Sequence, residues 1–189
     1  MKISGGEFNG RSIKTLSGHE TRPTGSRARE TLFNILAHRY DHQFSVVLDC
    51  FSGSGTIGLE CLSRGADRVI AFEKNSSAIK VIRSNYESLS QSSKLSLLTE
   101  HRVHRWAELI RKTLSSGEKI DFVYCDPPFE SRFFNSTLTM LDKAPQFFAD
   151  NALMVGECSI KSKELSLDHW RLTDTRDIGE SRFYFYQFS

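Results

Sequence analysis

Val47-Leu48-Asp49-Cys50-Phe51-Ser52-Gly53-Ser54-Gly55-Thr56-Ile57-Gly58 is the stretch on which the fold turns. Val46–Cys50 reads as a buried apolar strand, and Ile57, Leu59, Cys61 and Leu62 continue as a helix. The glycines between them serve a backbone that must turn sharply and approach a ligand with no Cβ in the way. Gly53-x-Gly55-x-x-Gly58 differs from the dinucleotide fingerprint in its Asp-x-x-x-Gly lead-in, and no Lys follows to serve a phosphate loop. A nucleoside triphosphate is thereby disfavoured. Taken alone, the stretch is equally a tight strand–helix turn that holds nothing.

Outward from it, strands and helices alternate. Arg68–Phe72 is the next strand and Ala78–Leu89 the next helix. Leu95–Thr99 and Phe122–Cys125 read as strands, separated by a helix through Trp106, Leu109 and Ile110. A helix is expected over Phe133–Phe148, then a buried strand Ala152–Glu157, then Trp170–Thr175 and Ser181–Phe188 joined by a turn at Gly179. Such alternation builds an α/β, Rossmann-like fold: a mostly parallel seven-stranded sheet, helices on both faces, and an antiparallel last strand. Before it, Lys2–Ser4 and Arg11–Thr15 alternate around Gly5-Gly6 and Asn9-Gly10, which predicts a small β-hairpin. After Pro23 the pattern turns helical through Ala28, Leu32, Phe33, Ile35 and Leu36, with Thr24 or Ser26 as the cap. The expected organisation is an N-terminal extension over residues 1–40 and one sheet domain over 41–189.

Composition supports a single core: the chain has 189 residues, 39% of them apolar. Its 25 basic and 23 acidic residues leave a net charge of +2, so any nucleic-acid contact must be local. No apolar stretch resembles a signal peptide or a membrane span, and a cytoplasmic protein is expected. Cys50, Cys61, Cys125 and Cys158 are scattered, with no C-x-x-C and no His cluster, and are read as reduced core residues; no metal is expected.

In such a sheet, ligands sit at the carboxyl ends of the strands, next to the point where strand order reverses. Val69-Ile70-Ala71-Phe72-Glu73 closes a strand with an acid about 20 residues past the glycine turn, where it can accept from ribose hydroxyls. Phe122-Val123-Tyr124-Cys125-Asp126-Pro127-Pro128-Phe129 delivers a carboxylate, two prolines and an aromatic ring to the same edge. The prolines fix φ and remove donors, leaving outward carbonyls. Asp126 can accept one N–H of an amino group, the Pro127 carbonyl the other, and Phe129 can stack on the ring. An exocyclic amine conjugated to its base is a poor nucleophile, and holding both N–H bonds turns its lone pair toward an electrophile.

Asp126-Pro127-Pro128-Phe129 is similar to the catalytic motif of methyltransferases acting on base amines, and Asp49–Gly55 resembles their S-adenosylmethionine motif. More narrowly, the chain resembles the bacterial 16S rRNA guanine-N2 methyltransferase family. The likeness runs through Lys2–Gly6, Gly10-Arg11, Arg22-Pro23-Thr24, Arg27-x-Arg29-Glu30-Thr31, Leu48–Gly65, Asp126–Phe129 and, more weakly, Gly179–Arg182. It implies a class I methyltransferase fold. S-adenosyl-L-methionine would be held by Asp49, Phe51, Gly53, Ser54, Gly55, Glu73, Lys74, His101 and Asp126, with Asp126, Pro127, Pro128 and Phe129 catalytic. Where the family carries Asp or Asn after the third strand this chain has Glu100-His101, so the adenine contact falls to Glu100, His101 or backbone. Gly25-Ser26 replaces the family's Thr-Asp before Arg27.

RNA contact is expected in the extension, through Arg11, Arg22, Thr24, Arg27 and Arg29, which would position phosphates without reading sequence. A solvated charged helix face is the plainer account of those arginines. The partner implied is 16S rRNA, naked or in an assembling small subunit, met by a monomer. Two alternatives stand beside this reading. A DNA adenine-N6 methyltransferase shares the Asp-Pro-Pro-aromatic motif but ordinarily needs an added target-recognition region. A non-catalytic RNA-binding assembly factor would have no use for Gly53, Gly55, Glu73 and Asp126 together.

Overall fold

The computed structural model describes residues 1–16, 23–40, 44–100, 102–128 and 131–189. Its centre is a seven-stranded sheet of order β3-β2-β1-β4-β5-β7-β6. The strands are β1 (Val46–Asp49), β2 (Arg68–Phe72), β3 (Leu95–Leu98), β4 (Ile120–Cys125), β5 (Phe148–Ser159), β6 (Trp170–Ile178) and β7 (Ser181–Phe188). The pairs β1–β2, β2–β3, β1–β4 and β4–β5 are parallel, and β7 runs antiparallel to both β5 and β6. Strand order grows outward from β1 through β2 and β3, then jumps back to β4. The switch point therefore lies between β1 and β4.

The helices are α1 (Pro23–Arg39), α2 (Thr56–Ser63), α3 (Ser76–Ser88), α4 (Trp106–Thr113) and α5 (Ser131–Asp142). Each sheet face carries its own core. On one, Leu32, Phe33 and Leu36 of α1, Leu59 and Leu62 of α2, and Ile82 and Tyr86 of α3 pack on Val47, Val69, Phe122, Val155 and Phe185. On the other, Trp106 and Ile110 of α4 and Phe134, Leu138 and Leu141 of α5 pack on Leu48, Ile70, Val123, Met154 and Tyr184. The central strands β1 and β4 bury side chains on both faces, as parallel strands under two helical layers must.

Ile3, Phe8 and Ile13 of the N-terminal segment join the first core. The expected hairpin is reduced to one antiparallel bridge, Lys2 with Ser12, framed by Ile3 N–H donating to the Arg11 carbonyl and Ile13 N–H to the Met1 carbonyl. Helix α1 begins at Pro23, so Thr24 and Ser26 lie in its first turn and do not cap it; the preceding Arg22 lies outside the described residues.

The helix expected over 133–148 stops at Asp142. Ala144 precedes Pro145 and is driven out of the helical region to φ −129°, ψ 51°, after which a short 3-10 turn leads into β5. That strand is longer than the apolar run Ala152–Glu157, because an irregularity between Ile120/Phe148 and Phe122/Leu153 adds residues at its start. All four cysteines are free; Cys50, Cys61 and Cys125 are buried as expected of core thiols, whereas Cys158 is half-buried. Among the described residues, no helix is long and apolar enough to cross a membrane.

Candidate active site

The sheet's ligand edge is tied together by its own backbone. Cys50 N–H donates to the Tyr124 carbonyl at 2.9 Å, Ser52 N–H to the Phe72 carbonyl at 3.0 Å, and Glu73 N–H to the Leu98 carbonyl at 3.0 Å. The ends of β4, β1, β2 and β3 are thereby fixed side by side. Gly55 caps α2 at φ 76°, in the left-handed region that a Cβ makes unfavourable. Gly58 has a different reason to be glycine: a Cβ there would meet the Tyr86 hydroxyl at 2.3 Å and a Val69 methyl at 2.9 Å. Its absence lets α2 lie against α3 and β2.

Glu73 is half-buried. One carboxylate oxygen accepts the Gly53 N–H at 2.8 Å, and the other accepts the Lys74 and Asn75 N–H groups at 2.8 and 2.7 Å. The acid at the end of β2 therefore braces the glycine turn at the end of β1. Asn75 caps α3 by accepting from Ser77 and Ala78 N–H. Lys74 is exposed, its ammonium 5.8 Å from the centre of the Phe133 ring of α5. Phe51 leans on Trp106, which stacks on Phe72 at 4.1 Å.

Asp49 is 1% exposed, and neither of its carboxylate oxygens has a hydrogen-bond partner. Burial pushes its carboxyl up to about 7, and the Glu73 charge pushes the same way. The Ser52 hydroxyl and the Phe51 and Gly58 amides lie close enough to oppose that shift, yet none reaches hydrogen-bonding geometry. An unpartnered buried carboxylate is expensive, and at a ligand edge it calls for a cation or a donor from outside the chain. The α-ammonium of S-adenosylmethionine is such a group. The position where a Cβ would stand on Gly53 is open space, and Gly53 sits at φ 54°. The residues present therefore fit this cofactor.

At the end of β4, Asp126 and Pro128 are exposed and Pro127 is buried. Phe129 lies outside the described residues, as do His101 and Arg22. Glu100 is drawn away from a cofactor role by its own neighbours. Its carboxylate accepts from Arg102 N–H, Nε and Nη2 at 3.0, 3.0 and 3.1 Å, with Arg105 at 3.4 Å, and these bonds hold it down at about 2.

Arg11 and Arg27 are exposed. Arg29 is not: it is 7% exposed, its Nε 2.9 Å from Glu60, a residue with no exposure at all, and its Nη2 donates to the Lys2 carbonyl at 2.9 Å. Glu60 also accepts from Ser4 N–H and Oγ and pairs with Arg64. Arg29 is thus an internal tie between α1, α2 and the N-terminal segment, and it corrects the expectation of a phosphate contact there. Its position was available in the sequence, since residue 29 shares the apolar helical stripe of Ala28, Leu32, Phe33 and Leu36.

Two further residues of this edge went unnoticed in the sequence. Asn85 of α3 is buried; its amide donates to the Lys14 and Ser54 carbonyls and its oxygen accepts the Lys14 N–H, which joins the N-terminal segment to the glycine turn. Glu157, near the end of β5, accepts the hydroxyl of buried Tyr124. Nothing local marks Asn85, but Glu157 closes the apolar run 152–156 much as Glu73 closes β2.

Residues 1–187 match the model of the family described as Conserved hypothetical protein 95. The chain is 29% identical to the ribosomal RNA small subunit methyltransferase D of Haemophilus influenzae, over 99% of this chain and 93% of that one. It is also 29% identical to the protein of the same name from Escherichia coli K12, over 99% and 89%. Among solved structures, the Escherichia coli protein yhhF superposes with a TM-score of 0.78 at 28% identity, covering 100% of this chain and 98% of the other.

Proposed function

The chain belongs to the Conserved hypothetical protein 95 family, whose relatives are small-subunit rRNA methyltransferases, and from that premise we propose that it methylates the exocyclic N2 amine of a guanine in 16S rRNA. The names of the full-length relatives support an rRNA substrate. An exocyclic base amine as the target is supported by one observation, that Asp126-Pro127-Pro128 stands at the end of β4, directly across the switch point from the glycine turn after β1, and guanine N2 among such amines is supported by the family resemblance.

When bound, S-adenosylmethionine supplies an electrophilic methyl group on a sulfonium that departs as a neutral thioether. Asp49 would receive its ammonium, Glu73 its ribose hydroxyls, and the Gly53–Gly55 backbone would lie against its amino-acid part. Phe51, Ser54, Lys74 and His101 complete the proposed cofactor set. The target base must be splayed out of its strand to reach this edge. Asp126 then accepts one N2–H, the Pro127 carbonyl accepts the other, Pro128 keeps that loop rigid, and Phe129 stacks on the ring. The N2 lone pair would thereby be turned toward the methyl group, and the Asp126 carboxylate would stabilise the positive charge that grows on N2 until the surplus proton passes to solvent water at this exposed position. Alignment supplies most of the rate, because in-line transfer needs little further chemistry.

Residues 1–40 would form the RNA-facing extension and 41–189 the methyltransferase domain. Exposed Arg11 and Arg27 are the proposed phosphate contacts, together with Arg22 and Thr24 of the sequence motif. The enzyme would act in the cytoplasm as a monomer on 16S rRNA or an assembling subunit. The test is Asp126→Ala. At a cofactor concentration shown by calorimetry to saturate the variant, methyl transfer should fall by at least about a hundredfold. Full transfer by that variant, with cofactor binding intact, would overturn the mechanism.

A further inference from the structure

We infer that Glu157 is the residue by which the pocket selects guanine: its carboxylate, beside Asp126, accepts the N1–H of the target base. This rests on the methyl-transfer reading above and says which part of the site reads the base.

Strands β4 and β5 are parallel, with Tyr124 opposite Val155 and Cys125 opposite Gly156. Asp126 and Glu157 are the next positions along the two strands, one residue past the last paired register, and both charges reach the Tyr124 hydroxyl. They fall on the sheet face that carries Tyr124 and Val155, because side chains alternate along a strand. Adjacent parallel strands lie about 4.8 Å apart, so carboxylates at these two positions can converge on one base edge.

Glu157 is half-buried and anchored. The Tyr124 hydroxyl donates to its Oε2. That phenol is itself buried, and burial, with the Glu157 and Asp126 charges adding to it, holds it well above its ordinary range. Tyr124 is therefore a standing donor that aims the carboxylate. Among the described residues nothing donates to Glu157 Oε1, and neither Lys nor Arg pairs with the side chain. A half-buried carboxylate with one fixed and one unused oxygen, next to the proposed catalytic Asp, is an acceptor available to a ligand.

Guanine is the base that matches two acceptors side by side. Its Watson–Crick edge offers N1–H and the N2 amine as adjacent donors. Adenine and cytosine place an acceptor nitrogen next to their amine, which would face the Glu157 carboxylate with no proton between them. A site built to receive a donor rejects a ligand that lacks it, because its own acceptor is left unpaired.

The experiment uses the intact protein and an RNA in which the methylated guanine has first been mapped. That position is replaced by 2,6-diaminopurine, which keeps the N2 amine but carries an acceptor at N1. The wild type should favour guanine by roughly ten- to a hundredfold in kcat/KM. Glu157→Gln, whose amide can donate to N1, should narrow that ratio at least about tenfold, with S-adenosylhomocysteine affinity unchanged. Tyr124→Phe, which removes the aiming hydroxyl, should lower the ratio in the same direction. A wild type that methylates both bases equally overturns the inference without any variant, and so does a ratio unmoved in Glu157→Gln. Either result leaves the guanine-N2 reading in place. Absence of label on any guanine defeats that reading itself.

Discussion

Asp49 is the residue whose chemistry most directly links the protein to its cofactor. A buried carboxyl raised to about 7 against an ordinary 3.8 binds its proton more tightly when folded. Its stabilising contribution is therefore complete below about pH 4 and is lost as pH rises through about 7. The cofactor-free protein should melt at a lower temperature at pH 8 than at pH 6, and Asp49→Asn should flatten that dependence, as differential scanning calorimetry can read. S-adenosylhomocysteine should bind the wild type more tightly as pH rises through the same interval, since the ionised form is the one that meets an ammonium. Unchanged pH profiles in Asp49→Asn would contradict both statements. Asp49, Glu73 and Asp126 were legible in the sequence for a shared reason: each is an acid that ends an apolar strand. Glu157 has the same signature but lacks a glycine turn or proline pair beside it to single it out. Arg29 was misplaced because its charge was weighed ahead of its place on the apolar stripe of α1.

At the scale of elements, the glycine turn is held from beneath by α3. Asn85 bonds the Ser54 carbonyl at 3.0 Å and both backbone groups of Lys14, so one side chain fixes the turn and the N-terminal segment together. Asn85→Ala strands those backbone groups, one donor and two acceptors. It should cost about 1–3 kcal/mol in urea unfolding and weaken cofactor binding together with stability. Asn85→Asp, which keeps the acceptor but turns a buried carboxylate oxygen toward two carbonyls, should cost at least as much. Loss of stability with cofactor affinity untouched would show that the turn does not depend on this clamp. Strands β2 and β7 were legible to the residue, being apolar runs closed by charge or by a turn at Gly179. The end of α5 was not, because apolar spacing continues through Phe147 and Phe148 while Pro145 has already diverted the backbone at Ala144. The hairpin expected in the N-terminal segment is a single bridge because Ile3, Phe8 and Ile13 are spent on the helical core and not on a ladder.

Across the whole molecule, the N-terminal segment is built into the first core, and its tie is ionic as well as apolar. Glu60, without exposure, gathers Arg29, Arg64 and Ser4 from three parts of the chain. Arg29→Ala leaves that carboxylate buried with fewer partners. It should destabilise the protein by about 3 kcal/mol, the low end for a broken buried pair because Arg64 remains. Arg27→Ala on the exposed side of the same helix should leave the unfolding midpoint nearly unchanged. Equal midpoints for the two variants would contradict the internal role given to Arg29. The mostly parallel sheet and its antiparallel last strand were implied by strand–helix alternation, whereas the strand order and the switch point between β1 and β4 were not, since alternation does not say on which side of β1 the chain returns. The packing of the extension against α2 was not, since no local pattern reports which surface an amphipathic segment covers. The most direct test of the account is to incubate the protein with methyl-labelled S-adenosylmethionine and, separately, unmethylated 16S rRNA, small-subunit particles and DNA, then digest and identify the labelled nucleoside. N2-methylguanosine should come from the RNA or the particles and none from DNA. N6-methyladenine in DNA, or no label in any substrate despite cofactor binding, would contradict it.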